Sequence, residues 1–143
     1  MSMDAQDFLS LVESWGCDAA SDEAVLRTAT SRAYYAALHR ALDALPGNFF
    51  PPSEKRRGTG SHNAVVDGYS AWARSFGGGA NSPVAIVAKQ LPRMKLSRVR
   101  ADYHLNDNYP LEDCVATLGR SRKVFDELGK LDAASDENVV SSA

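Results

Sequence analysis

A chain of 143 residues, 44% hydrophobic and 24% charged, suits one domain with a real core and leaves no room for a second catalytic domain. Its formal net charge of -2 supplies no overall attraction toward nucleic acid or an anionic membrane, so a phosphate site would have to come from a local basic patch. Cys17 and Cys114 are too few and too separated for a zinc knuckle or a redox C-x-x-C motif, no secretory segment is read, and no apolar run approaches the roughly 20 residues of a membrane span. These features predict a cytoplasmic protein with reduced thiols, away from the membrane.

The first predicted element covers residues 4 to 16, where Phe8, Leu11, Val12 and Trp15 recur at helical spacing and Gly16 is a stop signal. A second helix starts at Ser21 or Asp22, carries acidic residues in its first turn, and stops at Pro46 and Gly47. Its apolar positions, Val25, Ala29, Ala33, Ala36, Ala37, Ala41, Leu42 and Leu45, cover a wide arc, which predicts a central helix packed on more than one side. Residues 48 to 61 read as a loop, made locally basic by Lys55, Arg56 and Arg57. Such a charge run is either a solvated surface or a phosphate contact.

Helix three is predicted from about His62 to Phe76, with Val65, Tyr69, Trp72 and Phe76 on one stripe. Ser82 followed by Pro83 is the pattern of an N-cap with proline in the first turn. The fourth helix carries Val84, Val87, Leu91 and Met94 at steps of three and four, and Pro92 is expected to kink or restart it. A final helix is expected from 110 to 131, with Leu111, Cys114, Val115, Leu118, Phe125, Leu128 and Leu131 inward. No stretch alternates like a strand. The expected architecture is all-α, an antiparallel bundle of four to five helices in a single domain over 1–131, with 132–143 as a disordered acidic tail.

The segment SRVRADYHLND, residues 97 to 107, crowds charge into the end of the fourth helix. On a helix, Arg98 and Asp102 are i, i+4 neighbours, as are Arg100 and His104. A surface ion pair, with His104 favoured by the helix dipole, would account for them structurally. Yet Arg98 is the next step of the stripe Val87, Leu91 and Met94, so its guanidinium should point toward the bundle or a partner, where it needs a carboxylate, a bound anion or an interface. His39, near Tyr35 and Arg32 on helix two, reads as a helix-surface, interfacial or supporting histidine, and His62 as a capping or loop residue. Tyr34, Tyr35 and Trp72 read as core aromatics with a polar tip.

RAYYAALHRAL in helix two, a histidine opening helix three, and RVRADYHL closing helix four resemble the small HEPN proteins of bacteria and archaea, and within them a subgroup with YYAA and R-x-x-A-D-Y segments. The resemblance spans residues 22 to 131 and implies a HEPN-like bundle that dimerises. Many such proteins are metal-independent endoribonucleases with an R-x(4 to 6)-H motif facing a dimer cleft. On this chain the motif falls on Arg98 and His104, as catalytic residues, with Arg100, Asp102 and Tyr103 supporting them or binding phosphate. The implied chemistry is attack of an RNA 2′-hydroxyl on the adjacent phosphorus, with histidine moving the proton and arginine holding the phosphate. No metal and no cofactor are implied.

The sequence departs from the nuclease pattern at Val99, where active members often carry a polar residue after the motif arginine. Three readings therefore stand beside one another. One is a ribonuclease or RNA-binding homodimer, as in toxin–antitoxin or phage-defence systems. Another is a non-catalytic module that binds a nucleotide or a nucleotidyltransferase antitoxin. The last is a structural dimer in which Arg98 and Asp102 pair across an interface.

Overall fold

The computed structural model describes residues 4–49 and 61–141, with side chains described over 4–49 and 62–134. Five helices follow one another: α1 (Ala5–Ser14), α2 (Glu23–Ala44), α3 (Ser61–Phe76), α4 (Pro83–Tyr103) and α5 (Leu111–Ser141), with 3-10 turns at Gly47–Phe49 and Gly79–Asn81. No strand occurs among the described residues, so the all-α bundle expected from the periodicity is the one observed. None of the helices among the described residues is long and apolar enough to cross a membrane. The basic stretch Lys55, Arg56 and Arg57 lies outside the described residues.

Local chemistry explains where the helices begin and end. Asp4 and Asp7 form a reciprocal capping box at the start of α1, with the Asp7 N–H donating to Asp4 Oδ1 at 2.8 Å. Gly16, at φ +60°, supplies the left-handed turn that ends the segment. Ser82 caps α4 by accepting from the Ala85 N–H at 3.1 Å, with Pro83 in the first turn as its sequence pattern implied. Pro92 neither breaks nor restarts α4; it lies on the exposed side of one continuous helix.

The expected end of the last helix near 131, followed by a disordered tail, is corrected: the backbone stays helical to Ser141. Leu131, Asp132, Ala133 and Ala134 contain no helix breaker, and Asp132 accepts from Arg40 of α2 at 2.7 Å, which ties the continuation to the bundle.

α2 is the central helix. Its small residues Ala29, Ala33, Ala36, Ala37 and Ala41 are all buried and let neighbouring helices approach closely. Val25 departs from the expected arc and is 38% exposed, while Leu26 and Arg27 turn inward in its place. The main core joins Tyr34, Leu38, Val65, Tyr69, Val87, Leu91, Met94, Val124 and Leu128. α1 closes one side by packing Leu9 with Ala36 and Phe125.

Helix directions follow from which residues meet. α4 runs antiparallel to α2, since Tyr35 meets Arg98, Ser31 meets Asp102 and Arg27 meets Ala101. α3 runs parallel to α2, because Tyr34 meets His62 and Ala41 meets Tyr69. The long connection between Ala44 and Ser61 makes that parallel return feasible. Gly68 marks the closest approach there, since an added Cβ would lie 2.8 Å from the Phe49 carbonyl oxygen and 2.9 Å from Leu45 Cδ2. α5 also runs with α2: Ser121 Oγ donates to the Ala33 carbonyl at 2.8 Å and Asp132 meets Arg40.

Arg27 fastens this arrangement. Arg27 is 8% exposed, and its guanidinium donates from Nη1 to the carbonyls of Arg100 at 3.0 Å and Ala101 at 2.9 Å, and from Nη2 to those of His104 at 3.2 Å and Asp107. The last carbonyls of a helix have no intrahelical partner and carry partial negative charge, so a buried cation that collects them satisfies both needs. Glu23, 3.5 Å from Arg27, also accepts from the Tyr109 N–H, and Tyr109 places its ring 5.5 Å from the guanidinium. Arg27→Met should leave buried carbonyls unpaired and lower the unfolding free energy by about 3 kcal/mol. Urea denaturation checks this: Arg27→Lys should fall between the two, and equal midpoints for all three proteins would refute the capping role.

Candidate functional site

The end of α4 lies against α2 along a ladder of polar contacts spaced by one helical turn. Arg27, Ser31 and Tyr35 occupy successive i+4 positions of α2, and they meet the α4 C-terminus, Asp102 and Arg98 respectively. As the apolar stripe of α4 predicted, Arg98 points inward, and its side chain is 14% exposed. Its Nη2 donates to the Tyr35 hydroxyl at 2.6 Å, and its guanidinium carbon stands 5.2 Å from the Tyr35 ring centre and 5.4 Å from that of Tyr103. Asp102 Oδ2 lies 3.0 Å from Arg98 Nε and accepts from Ser31 Oγ at 3.1 Å.

The Arg98–Asp102 contact is an ion pair of proximity without a well-aligned hydrogen bond. Nε is buried, and its N–H finds no acceptor in good geometry although the carboxylate oxygen is within reach. The pair lies within α4, at i and i+4, and not across an interface. Asp102 thus compensates the charge of Arg98 while leaving one buried donor direction unmatched.

His62, at the start of α3, completes the cluster. Its Nδ1 is 2.8 Å from the Tyr34 hydroxyl, its ring stacks on Tyr34 at 5.6 Å with planes 16° apart, and Tyr35 meets it edge-on at 5.8 Å. Burial lowers the His62 pKa from its usual value, and the positive charges of Arg98 and Lys95 and the neighbouring His39 lower it further. Tyr34 is fully buried, and that burial pushes its hydroxyl up to about 12, partly offset by Arg98. At neutral pH the pair is therefore a phenol and a neutral imidazole.

The Tyr34 hydroxyl can donate to Nδ1, which leaves Nε2–H as a donor, or accept from Nδ1–H, which leaves Nε2 as an acceptor. The contact thus serves either tautomer, as a group that both takes and returns a proton requires.

The other expected site residues are distributed differently. Tyr103 is 68% exposed beside Arg98 at the surface. Arg100 turns away, with Nη1 donating to Asp113 of α5 at 2.6 Å and its guanidinium over the Tyr109 ring. His104 follows the last residue of α4: its N–H donates to the Arg100 carbonyl, its own carbonyl is held by Arg27, and its exposed ring places Nδ1 3.7 Å from Asp107. Among the described residues no hydrogen bond or ion pair joins His104 to Arg98 or to Arg100's side chain. The imidazole that shares Tyr35 with Arg98 is His62, read from sequence as a cap or loop residue. The histidine opening helix three and the YYAA segment were the signals available for it.

Comparison with protein-family models, with curated proteins and with solved structures finds no match to this chain.

The neighbouring cation gives a direct check on this geometry. Arg98→Met should raise the His62 pKa back toward its usual 6.5, read by NMR titration of the ring protons. The lowered value means that the unfolded chain binds a proton first as pH falls, so His62 removes stability as pH drops through and below 6.5. His62→Phe, if it packs, should lessen the acid loss of stability. A His62 resonance indifferent to Arg98 would show that the two are not coupled.

Proposed function

We propose that this chain is a HEPN-type, metal-independent endoribonuclease that acts as a homodimer. The carrying observation is the Arg98 guanidinium, held by Tyr35 and Asp102, with the His62 imidazole packed against the same Tyr35 ring. An arginine fork can hold a scissile phosphate and stabilise the added charge of its transition state. A histidine with access to both tautomers can take the proton of the attacking 2′-hydroxyl and return it to the 5′-oxygen that leaves, giving a 2′,3′-cyclic phosphate. A role in a toxin–antitoxin or phage-defence system rests on the sequence resemblance alone.

Two histidines compete for the proton-transfer role. His104 is the motif residue, and it could reach a phosphate only from the exposed end of α4. His62 is favoured because it packs on the Tyr35 ring whose hydroxyl accepts from Arg98. The α4 surface supports a dimer: Leu96 is 70% exposed, and Tyr103 and Leu105 stand equally open near the same helix end. An apolar face of this kind, next to Arg98, suits a second copy whose site would share the cleft.

A second reading, a non-catalytic module that binds a nucleotide or a nucleotidyltransferase partner, is favoured by Asp102. Its carboxylate already neutralises Arg98, which weakens the pull on a phosphate.

Cleavage of mixed-sequence RNA in the presence of EDTA decides between them. Arg98→Ala should lower the rate about 100-fold or more, and loss of the working histidine by a similar factor. A collapse in His62→Ala but not in His104→Ala assigns the proton transfer to His62, and the converse restores the motif histidine. No cleavage by a folded, dimeric wild-type protein would favour the binding module. Light scattering tests the dimer separately: Leu96→Glu with Tyr103→Asp should yield a monomer, and an unchanged mass would exclude this face.

A further inference from the structure

A groove of about 450 Å³ runs between α1 and α2, immediately beside Tyr35. Phe8 and Tyr35 supply its aromatic sides, Ala5 and Ala36 its floor, Arg32 and His39 its cationic groups, and Asp43 and Asp4 its acidic end. Arg32 to Asp43 spans 11 residues of α2, about 16 Å at the helical rise. Tyr35 belongs to both places: its hydroxyl accepts from Arg98, and its ring also lines the groove.

The charges are arranged along the groove and not scattered. Arg32 stacks over Phe8, 5.8 Å from the ring centre, and makes no ion pair among the described residues. Asp43, two turns beyond Tyr35 and exposed, likewise has no ion pair among them, whereas Asp4 is occupied in capping α1. A ligand that fits presents a flat ring to Phe8 and Tyr35 and N–H donors to Asp43, with its anion toward the Tyr35 end, where Arg98 meets the Tyr35 hydroxyl.

We propose that this groove holds the nucleobase next to the phosphate at Arg98, and that Asp43 selects guanine. The proposal rests on the nucleic-acid reading above and adds base selection to it. Guanine is the common base that offers two neighbouring N–H donors, N1–H and the N2 amino group, to the two oxygens of one carboxylate. Adenine and cytosine offer an amino group beside an acceptor nitrogen, which a carboxylate repels. Uracil offers one N–H between two carbonyls. A site that hydrogen-bonds a polar edge rejects analogues lacking it far more strongly than an apolar slot does.

Calorimetric titration of the full-length protein with the four nucleoside 3′-monophosphates tests this. Wild type should bind 3′-GMP at least tenfold more tightly than the other three. Asp43→Asn, an exposed and isosteric change, should abolish that preference and leave the other three affinities within about twofold, while Arg98→Ala, checked for folding by circular dichroism, should weaken all four together. Binding without a guanine preference, or a preference that survives Asp43→Asn, overturns the base assignment and leaves the phosphate site standing. Affinities unchanged by Arg98→Ala, or no binding of any nucleotide, overturn the phosphate site and this inference with it.

Discussion

The position of α4 depends on one buried cation. Arg27 reaches from α2 into the end of α4 and gathers the carbonyls of Arg100, Ala101 and His104 on one guanidinium. A free helix end can drift or fray, whereas one whose terminal carbonyls converge on a fixed guanidinium cannot rotate without exposing them. Ser31 with Asp102 and Tyr35 with Arg98 then continue the same seam toward α3. Placement of Arg98 is thus inherited from a contact two turns away, and Glu23 and Tyr109 hold that contact from behind. The candidate site is built on facing helices and not on loops, which suits a group that must hold its geometry to a fraction of an ångström.

Electrostatics inside the seam are finely balanced. Arg98 meets one carboxylate, one phenol hydroxyl and two aromatic faces, so its charge is dispersed without being enclosed. An incoming anion would compete with Asp102 for the same guanidinium. The misaligned Nε–H means that this competition starts from an imperfect bond, which lowers the cost of exchanging one acceptor for another. The neutral state of His62 follows first from its burial, and Arg98 adds to it, because a second positive charge near that guanidinium is disfavoured.

Much of this was legible from sequence at the level of periodicity. Val84, Val87, Leu91 and Met94 are all fully buried, and the continuation of their stripe to Arg98 gave its inward direction. The Ser82–Pro83 start and the alanine-rich centre of α2 were equally plain. Side-chain partnerships across the chain were not. Arg27 looks like any helix-surface arginine until its acceptors, backbone carbonyls more than 70 residues away, are in place. His62 became a neighbour of Tyr34 and Tyr35 only because α3 runs parallel to α2, a direction that the connection permits but no local pattern encodes. Spacing likewise paired Arg100 with His104 on an ideal helix, whereas α4 ends at Tyr103 and Arg100 has a carboxylate of α5 within reach. Helical wheels describe residues inside a helix and lose authority at its last turn.

The two cysteines, 97 positions apart in sequence, are gathered into one small cluster with Val12, Leu26, Ala29, Ala101 and Tyr109. Cys114 is buried, and burial pushes its thiol up to about 11, so at neutral pH it is almost wholly protonated and a poor nucleophile. Cys17 covers that cluster from the connection after α1 and is only partly shielded. An alkylating reagent therefore meets a partly accessible thiol and a locked one, and the second reacts only when the packing around it opens. The molecule carries a native clock for its own breathing, in which the rate of labelling at Cys114 counts the openings of the cluster where α1, α2, α4 and α5 meet.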